Sequence, residues 1–111
     1  MINFFKQLFW PDHGLLGGVR SNRWPRIRRD FLSINPTCAA CGKAKKFLKP
    51  LEIHHIQPYN LFPEKELEFD NLITLCRLCH LLFGHLDSFR SYNLNVKIDT
   101  GIMLLKIKSR P

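Results

Sequence analysis

Cys38 and Cys41 form one CxxC pair, Cys76 and Cys79 form a second, and 34 residues lie between the pairs. Two residues between thiolates let one turn present both sulfurs to a single tetrahedral ion. Two such turns complete a closed structural zinc site with four thiolate ligands. Gly42, directly after the first pair, suits a knuckle whose backbone turns through positive φ. The competing readings are four unrelated buried thiols and a thioredoxin-like redox pair, but no βαβ pattern surrounds either CxxC. A closed four-thiolate site leaves no open position for chemistry, and its binding energy becomes folding energy.

A second set of candidate ligands sits inside this frame. It comprises Glu52-Ile53-His54-His55-Ile56-Gln57-Pro58 and then Asp70-Asn71, with His80 directly after Cys79. A metal held by His54 and His80 keeps positions open for water and a phosphate oxygen, as a catalytic ion requires. His55, beside such a metal but free of it, has the chemistry to accept a proton from water. Adjacent residues on a strand point to opposite faces, so both histidines reach one site only if the strand ends or bulges there, and Pro58 allows that. The bland alternative is polar strand and helix residues with ordinary hydrogen bonds. Glu52 alternates with His54 on the strand and is a candidate to support it by a hydrogen bond, or else to pair with a nearby lysine.

The elements that must position these groups follow from punctuation and periodicity. Residues 1–18 read as a short helix and a glycine-rich turn (Gly14, Gly17, Gly18), with Phe4, Phe5, Leu8, Phe9 and Trp10 as an apolar docking segment and His13 as a surface turn residue. A helix capped by Ser21, with Pro25 in its first turn, is predicted to run to about Leu32. Its apolar stripe is Trp24, Ile27, Phe31 and Leu32, and a core role for Trp24 outweighs stacking on a base. Leu51 to Ile56 and Leu72 to Leu75 read as strands, and Cys76 to about Phe89 as a helix. Residues 96–108 read as a helix started by Asn95, with Ile98, Ile102 and Leu105 on one side, in preference to a hairpin turning at Asp99-Thr100-Gly101.

Charge and length set the class. The chain carries +8 overall, with 45% hydrophobic and 12% aromatic residues, a folding composition that excludes global disorder. No glycine period, sustained heptad or membrane-length apolar run occurs. A chain of 111 residues buries a modest core, so a staple is expected, and the cysteines can supply it. Residues 1–46 hold nine Lys and Arg against Asp12 and Asp30, a net +7, whereas residues 47–111 hold eight against seven, a net +1. Arg20, Arg23, Arg26, Arg28 and Arg29 fall within ten positions, and arginine suits bidentate phosphate contacts. A nucleic-acid footprint competes here with a merely solvated basic helix face. The first residues lack the basic start and small-residue cleavage site of a secretory leader, so a cytoplasmic location, in a bacterial or phage-infected cell, is expected. That setting favours metal over disulfides for the cysteines.

The ordered set CxxC, His54-His55-Ile-x-Pro58, Asp70-Asn71-Leu72 and Leu75-Cys76-x-x-Cys79-His80 closely resembles the HNH nuclease family, over about residues 38–80. The resemblance implies a small α+β fold of the ββα-metal type, stapled by zinc and flanked by N- and C-terminal helices. One domain over 1–111 is expected, with a basic arm (1–37), a zinc-stapled core (38–89) and a C-terminal extension (90–111). It implies that His55 is the general base, that His54 and His80 hold one catalytic divalent ion (Mg2+, Mn2+, Ni2+ or Zn2+), and that Asn71 holds the loop that orients His55. Cys38, Cys41, Cys76 and Cys79 would hold structural zinc, and the five arginines would contact DNA. The implied activity is hydrolysis of DNA phosphodiester bonds, leaving a 5′ phosphate and a 3′ hydroxyl.

Some members place a further histidine ligand four residues after the position of His80. Here that position is Gly84, and His85 comes one later. On an α-helix i+5 lies about 140° round from His80, so His85 joins the same ion only if Gly84 distorts the helix. The alternative function is a non-catalytic zinc-ribbon DNA-binding or phage assembly protein, which leaves Asn71 and the paired histidines without a purpose. No membrane contact is expected, and a protein partner or homodimer would serve double-strand cleavage.

Overall fold

A computed structural model of the chain describes residues 20–45 and 50–110. The apolar segment Phe4–Trp10, the predicted first helix and His13 lie outside the described residues. The elements are α1 (Trp24–Ile34), β1 (Leu51–His55), β2 (Leu72–Cys76), α2 (Arg77–Cys79), which runs straight into a π-helical turn (His80–Gly84), and α3 (Val96–Lys108). Two single 3-10 turns, Pro63–Lys65 and Phe69–Asn71, shape the loop between the strands. No described helix is long and apolar enough to cross a membrane.

β1 and β2 pair antiparallel, with Leu51 opposite Cys76, Ile53 opposite Thr74 and His55 opposite Leu72. This register puts Cys76 at the far end of the ribbon from His55, so the ribbon carries the cysteine site at one end and the candidate base at the other. The main core joins Cys38, Ala40, Leu51, Ile56, Ile73, Leu75, Cys79 and Val96. A second cluster, Trp24, Phe31 and Leu72, packs α1 against the outer face of the ribbon. The architecture is a small α+β unit of two strands and a helix with four clustered cysteines, consistent with the ββα-metal fold.

α1 starts at Trp24 with Pro25 in its first turn and ends past Leu32 at Ile34. Ser21 does not cap its first turn from the N-cap position, which is Arg23; its hydroxyl accepts from the Arg23 amide instead. α3 occupies the predicted residues, but Asn95 makes no side-chain cap. Asn93 does the pinning: its Oδ1 accepts from the Asn95 amide, and its Nδ2 donates to Asp99 Oδ2 and the Phe83 carbonyl. Val96 and Thr100 are the buried face of α3, and Ile98, Ile102 and Leu105 stand exposed rather than packed. The predicted helix from Cys76 to about Phe89 is corrected by the structure. It turns α-helical for one turn only, widens at His80 and ends at Gly84.

Candidate active site

The cysteine cluster is built by the two turns the spacing implied. Gly42 takes φ +78°, its amide donates to the Cys38 carbonyl, and the Cys38 amide donates to Lys43, which closes the first knuckle. The second pair straddles the junction of β2 and α2, with Cys76 as the N-cap residue. All four sulfurs lie within 4.8 Å of one another. Cys41 Sγ and Cys76 Sγ are 3.9 Å apart, and two sulfurs bound tetrahedrally to one zinc stand about 3.8 Å apart. Burial works against ionisation at Cys38, yet amides of Cys41, Cys76 and Ala40 lower that thiol to about 7. Burial and neighbouring sulfur push Cys79 and Cys41 upward. Such a group ionises fully only around a cation, which suits a four-thiolate zinc site.

At the other end, His54 comes from β1, His80 from the start of the π turn and His85 from the residue after it. His54 Nδ1 lies 3.0 Å from His80 Nε2, and His85 Nε2 lies 3.3 Å from the same His80 nitrogen. Partners fix which nitrogens carry protons. His80 Nδ1 faces the Glu52 carboxylate at 2.8 Å and His85 Nδ1 faces the Ser91 carbonyl at 2.7 Å. Both oxygens only accept, so each Nδ1 donates and each Nε2 is left as a lone pair. Between neutral rings, two lone pairs facing each other at 3.3 Å repel, and a shared cation turns that repulsion into coordination. Nitrogens bound at 2.0–2.1 Å to one ion stand roughly 2.9 Å apart at right angles and 3.3–3.4 Å apart at the tetrahedral angle, so the observed separations fit one shared ion. His54 supports the same reading. Burial, then His80, His85 and His55, lower its pKa to about 2, so it is neutral with a lone pair to give. Burial also lowers His85, against a hydrogen bond to Ser91 that raises it.

His85 thus joins the cluster that an α-helical turn denied it. In a π turn the hydrogen bonds run i→i+5, which brings residue i+5 back over residue i. Gly84 contributes by its lack of a side chain: a Cβ there would stand 3.0 Å from the His54 ring. The following turn places Leu86 and Asp87 at φ +54° and +68°, a left-handed pair that non-glycine residues seldom adopt. Ser91 Oγ also bonds back to the His85 carbonyl, and Phe89 packs against the rings of His85 and His80 at 5.0 and 6.2 Å. Glu52 supports His80 rather than His54, because the π turn lays His80 over the strand face that Glu52 shares with His54. Its second oxygen meets Arg77 at 3.6 Å.

His55 leaves β1 on the opposite face from His54 and is buried. Its Nε2 lies 2.9 Å from the Glu66 carbonyl, so Nε2 donates and Nδ1 is the acceptor nitrogen. Asn71 is also buried and spans the same loop. Its Oδ1 accepts from the Gln57 amide at 2.8 Å, and its Nδ2 donates to the Gln57 and Lys65 carbonyls at 3.0 and 3.1 Å. The residue before Glu66 is therefore tied to the residue two after His55. Trp24 packs its ring 4.6 Å from the His55 ring and Tyr59 lies 5.4 Å away. Sequence reasoning missed Glu66 and Tyr59. A backbone carbonyl has no side-chain signature, and a loop tyrosine carries no period. Arg20, Arg23, Arg26, Arg28 and Arg29 are all exposed, and Arg28 and Arg29 line a shallow groove with Lys45.

Residues 38–85 match the family model described as HNH endonuclease. That stretch is similar to an HNH domain. The matched span runs from the first cysteine to His85, so it encloses both the sulfur cluster and the three-histidine cluster. No curated protein and no solved structure matches the chain. α1 and α3 lie outside the HNH match.

Proposed function

We propose that the protein is a metal-dependent endonuclease that hydrolyses DNA phosphodiester bonds. The observation that carries this reading is the pairing of two histidine neighbours with opposite tasks. His54 adds a nitrogen to the three-histidine cluster, while His55 turns to the opposite face of the strand with its Nε2 on the Glu66 carbonyl. His54, His80 and His85 would hold one divalent ion, and Cys38, Cys41, Cys76 and Cys79 a structural zinc. Such an ion, when bound, would supply Lewis-acid stabilisation of the charge on the departing 3′ oxygen. His55 Nδ1 takes the proton of the attacking water, and the Glu66 carbonyl keeps the imidazole in the tautomer that can do so. Asn71 fixes the loop that carries that carbonyl. Glu52 holds His80 in the orientation that presents Nε2. The products would carry a 5′ phosphate and a 3′ hydroxyl.

Supercoiled plasmid incubated with the protein and Mg2+, Mn2+ or Ni2+ tests the reading. Nicking or linearisation that stops with EDTA is expected. Intact plasmid with every metal would favour the non-catalytic DNA-binding reading. The basic arm has its own test. Replacing Arg26, Arg28 and Arg29 together by glutamine should weaken DNA binding and flatten its salt dependence by roughly 0.9 per lost phosphate contact. An unchanged slope, measured by fluorescence anisotropy across salt, would make this face merely solvated.

A further inference from the structure

The candidate base is assembled from two parts of the chain, and only one of them lies in the HNH match. Glu66 is buried although it is a carboxylate, and both of its oxygens sit 3.2 Å from the Ser21 amide. The same residue's carbonyl receives the His55 Nε2 proton. The Arg20 guanidinium lies 4.2 Å from the Tyr59 ring centre and 5.0 Å from that of Trp24. Those two rings are the ones that flank His55. Residues 20–24 therefore reach the His55 imidazole through a hydrogen bond to the loop that holds it, and through a cation that bridges the rings on either side.

We propose that Glu66 is a positioning residue for His55, set in place by the Arg20–Trp24 segment, so that the arm builds the general-base side of the site in addition to any grip on DNA. The proposal rests on His55 acting as the base. A buried carboxylate costs free energy unless hydrogen bonds satisfy it, so the Ser21 amide fixes where the Glu66 side chain lies, and with it the carbonyl of the same residue. Arginine on an aromatic face adds a cation–π contact, and two such contacts hold Trp24 and Tyr59 in register around the imidazole. The residues of 38–85 alone hold every candidate metal ligand but not this clamp.

The test uses the full-length, zinc-loaded protein. The His55 Nε2 proton is followed by nitrogen-15 NMR, and cleavage by single-turnover rates at saturating DNA. Glu66→Ala keeps the backbone carbonyl but removes the tie to Ser21. It should exchange the His55 Nε2 proton about tenfold faster and cut about 10- to 100-fold more slowly, the size expected of a small misplacement of a catalytic group. DNA affinity should hold, and Glu66→Gln, which keeps an acceptor for Ser21, should restore most of both readouts. Arg20→Ala alters an exposed residue and should fold. It should raise the same exchange several-fold, and it decides the matter if Glu66→Ala loses its zinc. Wild-type exchange in Arg20→Ala, or wild-type exchange in a folded Glu66→Ala, would overturn the proposal. If the wild type cuts no DNA, the nuclease reading falls while the exchange measurement still decides the positioning role.

Discussion

Cys76→Ser, or removal of zinc by a strong chelator, is expected to unfold the protein rather than loosen it. Cys76 closes the β ribbon opposite Leu51 and is the N-cap residue of α2, and Cys38 and Cys79 are members of the main buried core. The ion would thus join the first knuckle, the end of β2 and the start of α2, which presents His80. Structural zinc binding is worth about 10–16 kcal/mol in small fingers, against a total stability of about 5–15 kcal/mol for a typical domain. A two-stranded sheet is marginal by itself. The circular-dichroism melting transition should therefore vanish in Cys76→Ser and return in wild type when zinc is restored. A melting curve unchanged after verified zinc loss would show that the apolar core suffices.

His55→Ala is expected to remove cleavage while leaving the metal sites in place. The side chain lies on the face of β1 opposite His54, and its partners are Glu66, Trp24 and Tyr59 rather than the three-histidine cluster. General-base catalysis contributes about 10²–10⁴-fold, so single-turnover cleavage at saturating DNA should fall by about that factor. Because chemistry is then isolated from binding, a loss in rate with unchanged DNA affinity identifies a group acting in the transition state. Zinc content and affinity for a second divalent ion should match wild type. Equal cleavage by His55→Ala and wild type would end the assignment of His55 as base.

The parts of this molecule legible in its sequence are those set by local spacing. Two CxxC pairs required two turns, and the structure brings their four sulfurs together. The strand carrying His54 and His55 and the helix over 96–108 formed at the expected residues. His85 was legible only as a conditional ligand: reading i+5 as about 140° assumes α-helical winding, and the sequence could point to Gly84 as the place of a distortion but not to its form. The chain instead widens into a π turn, made roomy by Gly84 against the His54 ring. Glu52 was on the expected face but met a different histidine for the same reason. The partner of His55 is a carbonyl, which every residue possesses, so no residue type could announce Glu66. Trp24 was rightly read as a buried aromatic, but periodicity could not say that the ring it covers is His55. Ile98, Ile102 and Leu105 formed the apolar stripe on paper, yet α3 buries Val96 and Thr100 instead, because Asn93 sets its rotation through Phe83 and Asp99.

Three histidines sharing one ion beside His55 are the centre of the proposed mechanism. Calorimetric titration of Ni2+ into the zinc-loaded protein measures it. One equivalent is expected to bind, and His54→Ala, His80→Ala and His85→Ala are each expected to weaken it by about tenfold or more while zinc stays at one per chain. Binding by His85→Ala as tight as wild type would contradict the three-histidine centre, and no Ni2+ uptake by the wild type would contradict the metal site altogether.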